Sequence, residues 1–319
     1  MQQVKRLCYI DNLKAFLIVL VVVGHCIQSF LPNYESNILF RFIYSFHMPL
    51  FIFVSGYVSY KSQLTWNSVG RRFKQLMIPF FAWAVVKALI KWDARMIPHI
   101  IHNPDNGLWF LHTLFFITLI MMVCQTDAGW LHLRRCWVVA GVGLLMLAIM
   151  YGLDFREWGF QSVAYFFIYY VSGFYARRIR LFEHIPANFV VIISIVFLCL
   201  VPFHSVNGMA TFFSEGCNPM FGTAFRILLA FIGSIGIFAL FRRFADKNSR
   251  VGNYLGVRTL GIYAIHPALL NIYLEYVGKT PEGGGGVVCA SIVCALLMSL
   301  VLYELLSKNK TISEIFLGR

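Results

Sequence analysis

In a chain of 319 residues, a hydrophobic share of 59% and a charged share of only 13% exclude an ordinary soluble domain, in which about 25% of residues are charged. The net charge of +13 would indicate nucleic-acid binding in a soluble protein. Here the basic residues stand between long apolar runs, where membrane topology requires them, so no nucleic-acid partner is predicted. Because the apolar runs recur along the whole chain, the sequence predicts an all-α, polytopic integral membrane bundle.

The apolar runs fit about ten transmembrane helices within a single membrane-embedded domain over residues 1–319. The first run contains Lys14 and His25 and no cleavage site follows it, which favours a retained helix over a signal peptide. Lys and Arg are concentrated in alternate connections, which places those connections and both termini in the cytoplasm. A further run is predicted at 136–152, and the longest outer connections are predicted at 93–107 and 205–220.

The first predicted helix carries ionisable side chains on one face. Lys14 and His25 are eleven residues apart, close to three helical turns, so they project from the same face about 16 Å apart along the axis. Asp11, Ile18 and Val21 fall on the same stripe, which we therefore expect to face protein or a water-filled cavity. Ionisable residues inside a membrane are functional-site candidates because they are costly there.

The second predicted helix contains His47 two residues before Pro49, which removes the hydrogen bond to the carbonyl of Ser45. Ser55 and Gly56 follow and would allow close approach of another helix. The next connection holds basic residues that fit two readings. These residues are Lys61, Arg71, Arg72 and Lys74. They can be a signal for a cytoplasmic connection, or they can form a docking surface for a polyanionic ligand such as a phosphorylated nucleotide.

The predicted spans contain few ionisable residues. They are Asp11, Lys14, His25, Arg41, His47, Lys87, Lys91, His112, Arg226, Arg258 and His266. A single intramembrane histidine is more often a satisfied interhelical hydrogen bond than a catalyst. His25, His47 and His266 lie near the middle of three spans, and three imidazoles at similar depth favour a site for proton handling or general-base chemistry. The three histidines match no metal-binding motif, and no metal is predicted.

Three segments of the sequence resemble those of a known family in their order and spacing. They are Asp11-Asn12-Leu13-Lys14 with Gly24-His25, then Phe46-His47-Met48-Pro49-Leu50-Phe51 with Ser55-Gly56-Tyr57, and then Leu260-Gly261-Ile262-Tyr263-Ala264-Ile265-His266-Pro267. Leu108-Trp109-Phe110-Leu111 adds a weaker fourth match. With these segments the sequence resembles the membrane acyltransferases of acyltransferase family 3, especially the fucose 4-O-acetylase-like members.

The resemblance implies transfer of an acyl group, most simply acetyl, from cytoplasmic acyl-coenzyme A to a hydroxyl of a cell-surface or lipid-linked carbohydrate. It also implies a location in the lipid bilayer of a bacterial cytoplasmic (inner) membrane, with acetyl-CoA as the donor. The family's essential histidine corresponds to His25. Its basic partner, often arginine, corresponds to Lys14, which lacks the bidentate fork. The family's Arg-x-x-Arg corresponds to Arg71-x-x-Lys74, which keeps the charge but not the second guanidinium.

The residue types and the resemblance together predict three groups of site residues. The catalytic group has His25 as general base or acyl carrier, supported by a pair of Lys14 with Asp11. The donor-binding group is Lys14, Arg71, Arg72 and Lys74. The acceptor-binding group is His47, Trp109 and His266, of which the two histidines would orient the acceptor or bind the thioester oxygen.

One alternative function from another class stays open at this point. A proton-coupled transporter of a small or saccharide substrate would also contain mid-membrane histidines, although no inverted repeat is visible in the sequence. A membrane partner without chemistry is disfavoured by the ionisable residues within the spans. The sequence also leaves open the acceptor sugar, acetyl against succinyl or a longer acyl group, direct transfer against an acyl-histidine intermediate, and the oligomeric state.

Overall fold

The computed structural model describes residues 7–60, 66–104, 108–125, 138–139, 141–146, 148, 157–205, 219–278 and 284–319. Helices are the only regular secondary structure within these ranges. In chain order the α-helices are α1 (Cys8–Phe30), α2 (Ile38–Ser59), α3 (Trp66–Ile90), α4 (Met96–His102), α5 (Trp109–Gln125), α6 (Phe160–Arg178), α7 (Ala187–Leu200), α8 (Pro219–Phe244), α9 (Arg250–Val277), α10 (Gly285–Ser307) and α11 (Lys310–Leu317).

Among the described helices, α1, α2, α3, α8 and α10 are long and apolar enough to cross a membrane. Two further segments, Trp109–Met122 and Ala187–Phe203, are apolar but shorter. The predicted all-helical architecture is therefore confirmed. The number of about ten spans and the cytoplasmic termini stay predictions. The run at 136–152 is described in part, at 138–139, 141–146 and 148, and these residues are helical, whereas the connection at 205–220 lies largely outside the described residues.

The chain divides into two compact units. The first unit consists of Met1–Phe51 and Ile179–Leu302, and the second consists of Ile52–Arg178 and Tyr303–Arg319. In the first unit α1 packs along α9 and also contacts α8, while α7 packs against α8. The stripe of α1 that was expected to face protein does so at Ile18 and Val21, which are both buried.

The contact of α1 with α9 depends on two small residues one turn apart. A Cβ atom at Gly252 would overlap the side chain of Asn12, and one at Gly256 would overlap the backbone carbonyl of Asp11. Apolar burial contributes little between helices in a bilayer, because lipid tails are as apolar as the side chains they replace. Close packing through small residues and interhelical hydrogen bonds therefore stabilises this contact.

In the second unit the last part of α2 crosses α6 at two glycines. A Cβ at Gly56 would overlap the backbone of Tyr170, and one at Gly173 would overlap the backbone carbonyl of Phe53. The predicted close helix approach at Gly56 is thus confirmed. Arg177 donates a hydrogen bond of 2.9 Å to the hydroxyl of Tyr57 near the same crossing.

The remaining helices of the second unit pack around α3, which contacts α4, α5 and α11. Near the chain end, Trp83 Nε1 donates to the carbonyl oxygen of Phe316 at 3.0 Å. Gly318 has φ +68°, and a Cβ there would overlap the backbone of Gln75. Glycine suits this position because it adopts a positive φ without strain and has no Cβ atom to overlap the Gln75 backbone.

Candidate functional site

Two of the three predicted histidines meet in the first unit. The ring centroids of His25 on α1 and His266 on α9 are 5.2 Å apart, and the rings are nearly perpendicular at 73°. This contact follows from the packing of α1 along α9, because the glycines of α9 let the two helix backbones come close. The sequence places both residues near the middle of a span. The structure adds that their rings touch.

Tyr44 of α2 lies beside this pair. Its ring centroid is 6.4 Å from that of His25 and 4.9 Å from that of His47. The Tyr44 hydroxyl donates a hydrogen bond of 2.7 Å to the side-chain oxygen of Gln28, which lies one helical turn beyond His25. Packing against Tyr44 explains the glycine at position 24, because a Cβ atom there would lie 2.9 Å from the Tyr44 ring.

His47 and His266 share a local arrangement that fixes their tautomer. Nδ1 of His47 lies 2.7 Å from the carbonyl oxygen of Ile43, and Nδ1 of His266 lies 2.9 Å from that of Ile262. A carbonyl oxygen can only accept a hydrogen bond, so Nδ1 is the donor in both rings. In the neutral imidazole the proton is then on Nδ1, and Nε2 presents a lone pair.

Exposure separates the three histidines. His47 is 3% exposed and His266 is completely buried, whereas His25 is only half-buried. The rings of His47 and His25 both lie beside that of Tyr44. The partly exposed ring of His25 is therefore backed by two buried imidazoles, and of the three rings it is the most accessible to a substrate. An imidazole in this position can take up a proton from a bound hydroxyl or attack an electrophilic carbon.

The other end of α1 holds the predicted catalytic partners Lys14 and Asp11. Lys14 is half-buried, as is Asp11, whose backbone packs against Gly256. Between them Asn12 donates two hydrogen bonds, of 2.7 Å to the carbonyl oxygen of Ala245 and of 2.9 Å to that of Lys247. These bonds tie α1 to the connection between α8 and α9, so Asn12 holds this end of α1 in place.

The remaining predicted site residues belong to the second unit. Arg71, Arg72 and Lys74 lie in the early turns of α3, where Arg71 and Lys74 are exposed and Arg72 is half-buried. Trp109, at the start of α5, stacks on Phe166 with a centroid distance of 4.8 Å. The donor-binding and acceptor-binding roles of these residues stay predictions.

Three residues near the site were missed by the sequence analysis, and two of them had a readable signal. Gln28 lies three residues after His25, and Tyr44 lies three residues before His47, so each shares a helix face with a predicted site residue. Asn12 had no local signal, because the carbonyl groups that it binds are more than two hundred residues away in the chain.

The chain was compared with known proteins. Residues 8–304 match the family model described as the acyltransferase domain of acyltransferase family 3. The nodulation protein NolL of Sinorhizobium fredii strain NGR234 is 39% identical over 83 residues, which cover 24% of this chain and 23% of that protein. The nodulation protein NolL of Mesorhizobium japonicum is 28% identical over 131 residues, which cover 36% of this chain and 35% of that protein. The chain thus spans between about a quarter and a third of these curated relatives, and no solved structure matches it.

The family match covers the segments that carry the candidate site. The matched residues include α1 with Lys14 and His25, α2 with His47, and α9 with His266. Together with the apolar helices, the match indicates an integral membrane protein. The matched range covers nearly the whole sequence, and the chain therefore belongs to the acyltransferase 3 family.

Proposed function

We propose that this protein transfers an acetyl group from cytoplasmic acetyl-CoA to a hydroxyl of a cell-surface or lipid-linked carbohydrate, in the cytoplasmic membrane of a bacterium. The observation that carries the proposal is the half-buried ring of His25, which is held edge-on against His266 at 5.2 Å. Lys14 lies three turns away on the same helix, toward the end where a cytoplasmic donor would enter. The proposed branch within the family is the fucose 4-O-acetylase-like one.

His25 would act as the general base. Its ring nitrogen takes the proton of the acceptor hydroxyl while the hydroxyl oxygen attacks the thioester carbon. A carbon–oxygen ester bond forms, the carbon–sulfur bond breaks, and the departing sulfur takes up the proton from His25. In the second possible route the His25 nitrogen attacks the thioester carbon, the carbon–sulfur bond breaks, and the departing sulfur takes up the proton of the other ring nitrogen. The acceptor oxygen then attacks the acyl-imidazole, the carbon–nitrogen bond breaks, and the released imidazole takes up the hydroxyl proton.

His47 and His266 would orient the acceptor. Because Nδ1 of each ring donates to a backbone carbonyl, Nε2 in the neutral ring can accept a hydrogen bond from a sugar hydroxyl. The same tautomer has no proton on Nε2 to donate to a thioester oxygen. Of the two predicted roles for these residues, the described hydrogen bonds thus favour orientation of the acceptor over stabilisation of an oxyanion.

The donor would be held by cations. Arg71 and Lys74 are three residues apart on α3, so both point from one face, and both are exposed. Guanidinium and ammonium groups in this arrangement suit the phosphate groups of a nucleotide. Arg72 adds a third charge within the same turn. Lys14, on α1 of the first unit, is the fourth proposed donor contact, and it is proposed from the sequence pattern.

The donor assignment is tested by binding of labelled acetyl-CoA to the purified full chain, with Lys14→Met as the diagnostic variant. We expect the wild type to bind, and the variant to bind roughly 10- to 150-fold more weakly, since a hydrogen bond to a charged group contributes about 1.5–3 kcal/mol. Methionine has nearly the same length and helix propensity as lysine, so α1 should still form.

Two further variants interpret that measurement. Lys14→Arg keeps the charge and should retain part of the affinity, and Lys247→Met removes an exposed cation of the same unit and should change nothing. Absence of acetyl-CoA binding by the wild type would contradict the proposed function. Unchanged affinity in a stable Lys14→Met protein would assign Lys14 to a structural pair with Asp11.

The proposed orientation predicts opposite accessibility for two exposed positions. A cysteine replacing Ala94, between α3 and α4, should react with a membrane-impermeant thiol reagent applied to intact cells. A cysteine replacing Lys247, between α8 and α9, should react only after the cells are opened. Each is measured as the gain in labelling over the parent protein with its native cysteines. The reverse pattern would rule out cytoplasmic termini.

A further inference from the structure

Attack on a thioester carbon calls for a hydrogen-bond donor beside His25. As the bond to the carbon forms, the thioester oxygen gains negative charge, and a donor aimed at that oxygen lowers the barrier. His47 and His266 do not supply it, because Nδ1 of each ring donates to a backbone carbonyl and Nε2 of the neutral ring carries a lone pair. A side-chain amide next to His25 would meet this requirement, because its nitrogen carries two hydrogens and donates without a change of charge.

Gln28 has such an amide, one helical turn beyond His25 on α1. Residues three apart lie on the same face of a helix, and helical side chains lean toward the N-terminus of the helix. The side chain of Gln28 therefore covers the turn of α1 that bears His25. Both side chains are partly exposed, whereas Cys26 and Ile27 between them are buried. The face that carries His25 and Gln28 is thus accessible to a substrate.

Tyr44 of α2 fixes the orientation of this amide. Its hydroxyl donates to Oε1 of Gln28 at 2.7 Å, and within the described part of the chain this is the one hydrogen bond of the Gln28 side chain. Because Oε1 is engaged, the amide presents the two hydrogens of Nε2, which can only donate. An amide that is already held in place loses less conformational freedom when it binds a ligand.

The ring of Tyr44 places the amide close to His25. The ring centroids of Tyr44 and His25 are 6.4 Å apart. Cε2 of Tyr44 is bonded to the ring carbon that bears the hydroxyl, and it would lie 2.9 Å from a Cβ at Gly24, the residue before His25. The Tyr44 hydroxyl, and with it the Gln28 amide, therefore lies at the turn of α1 that holds His25.

We propose that Gln28 is a catalytic residue whose Nε2 donates to the thioester oxygen, and that Tyr44 is a positioning residue that holds the amide through Oε1. The inference rests on the proposed function, because it concerns the oxygen of acetyl-CoA. When the acceptor oxygen, or the His25 nitrogen in the second route, bonds to the carbon, the carbonyl electron pair moves to the oxygen and is stabilised by Nε2–H. The pair re-forms the carbonyl bond as the carbon–sulfur bond breaks, so Gln28 neither gains nor loses a proton.

The hydrogen bond is measured on acetyl-CoA bound to the purified full chain in detergent, by the infrared stretch of an isotope-labelled thioester carbonyl. A hydrogen bond to the oxygen weakens the carbonyl bond and lowers its stretching frequency. We expect a lower frequency in the wild type than in Gln28→Leu, which has a similar size and no donor. Gln28→Glu keeps an oxygen for the Tyr44 hydroxyl but has no N–H, so it should match Gln28→Leu. Gln161→Leu removes an exposed glutamine of α6 and should match the wild type.

Turnover of acetyl-CoA is measured in membranes as release of free coenzyme A. Loss of one such donor typically lowers turnover by about 10²- to 10³-fold, which is the fall expected for Gln28→Leu and Gln28→Glu. The affinity for labelled acetyl-CoA should fall far less, because the hydrogen bond strengthens in the transition state.

Tyr44→Phe keeps the ring against Gly24 and removes the hydroxyl, so it should lose part of the frequency shift and part of the turnover. In the Gln28→Leu background Tyr44→Phe should cost nothing further, since Tyr44 acts through the amide. Effects that add in full would refute the positioning role of Tyr44.

Equal carbonyl frequencies in the wild type and in Gln28→Glu, with acetyl-CoA bound to both, would refute the role of Gln28 and leave the proposed function standing. Unchanged turnover in Gln28→Glu would do the same. Gln28→Glu decides if Gln28→Leu does not fold, because it retains the bond from Tyr44. A wild type that binds no acetyl-CoA would instead refute the proposed function, and the assignment of Gln28 would fall with it.

Discussion

His25→Ala is expected to fold and to insert into the membrane, yet to lose acyl transfer by at least about a hundredfold. General acid–base catalysis typically contributes 10²- to 10⁴-fold, and alanine has no group that can take the proton of the acceptor hydroxyl. His47 and His266 are too buried to replace the half-exposed ring of His25. The measurement is acetyl transfer to the acceptor in membranes with matched protein amounts.

His184→Ala is the matched control, because it removes an exposed histidine of the same unit that lies on the short turn before α7. That variant should transfer acetyl at the wild-type rate. Binding of acetyl-CoA should survive in His25→Ala, since the ring is not among the proposed donor contacts. Near-normal transfer by His25→Ala would exclude His25 as base and as acyl carrier.

Gly256→Ala is expected to destabilise the protein and to impair the site at the same time. The added Cβ would overlap the backbone carbonyl of Asp11, which cannot rotate away as a side chain would. Overpacking of this kind costs about 1–3 kcal/mol, and the gain in helix propensity of about 0.5–1 kcal/mol offsets it only in part. Since α1 carries His25, displacement of α1 from α9 should also separate that ring from His266.

Gly286→Ala provides the comparison, because nothing lies within 4 Å of a Cβ at that position of α10. It should be neutral or slightly stabilising through helix propensity alone. Thermal unfolding in detergent and acetyl transfer are measured for both variants. If Gly256→Ala were as stable and active as Gly286→Ala, the packing of α1 on α9 would not be what positions His25.

The elements that could be predicted from the sequence are those that depend on local pattern. Apolar runs predicted the helices, and the eleven-residue spacing predicted that Lys14 and His25 share a face of α1. The Ser55-Gly56 pair predicted a close crossing, which is present at Gly56. The depth of His25 and His266 within their runs predicted convergence, and the rings do touch.

The features that were not predicted depend on contacts between distant parts of the chain. The local sequence of α2 does not predict that the Tyr44 ring lies against Gly24, because this contact depends on how α1 and α2 pack. The hydrogen bonds from Nδ1 of His47 and His266 were also missed, although each is only one turn long. Periodicity gives the face on which a residue lies and does not give the rotamer of its ring.

The anchoring of Asn12 has a consequence for the order in which the protein is made. Its two partners, the carbonyl groups of Ala245 and Lys247, follow it by 233 and 235 residues. At about 5–20 residues per second, the ribosome reaches them on the order of 10–50 seconds after Asn12. Helix α1 therefore emerges well before the carbonyl groups that anchor it have been synthesised. During this interval the amide of Asn12 must be hydrated at the bilayer surface or held by another protein of the insertion machinery.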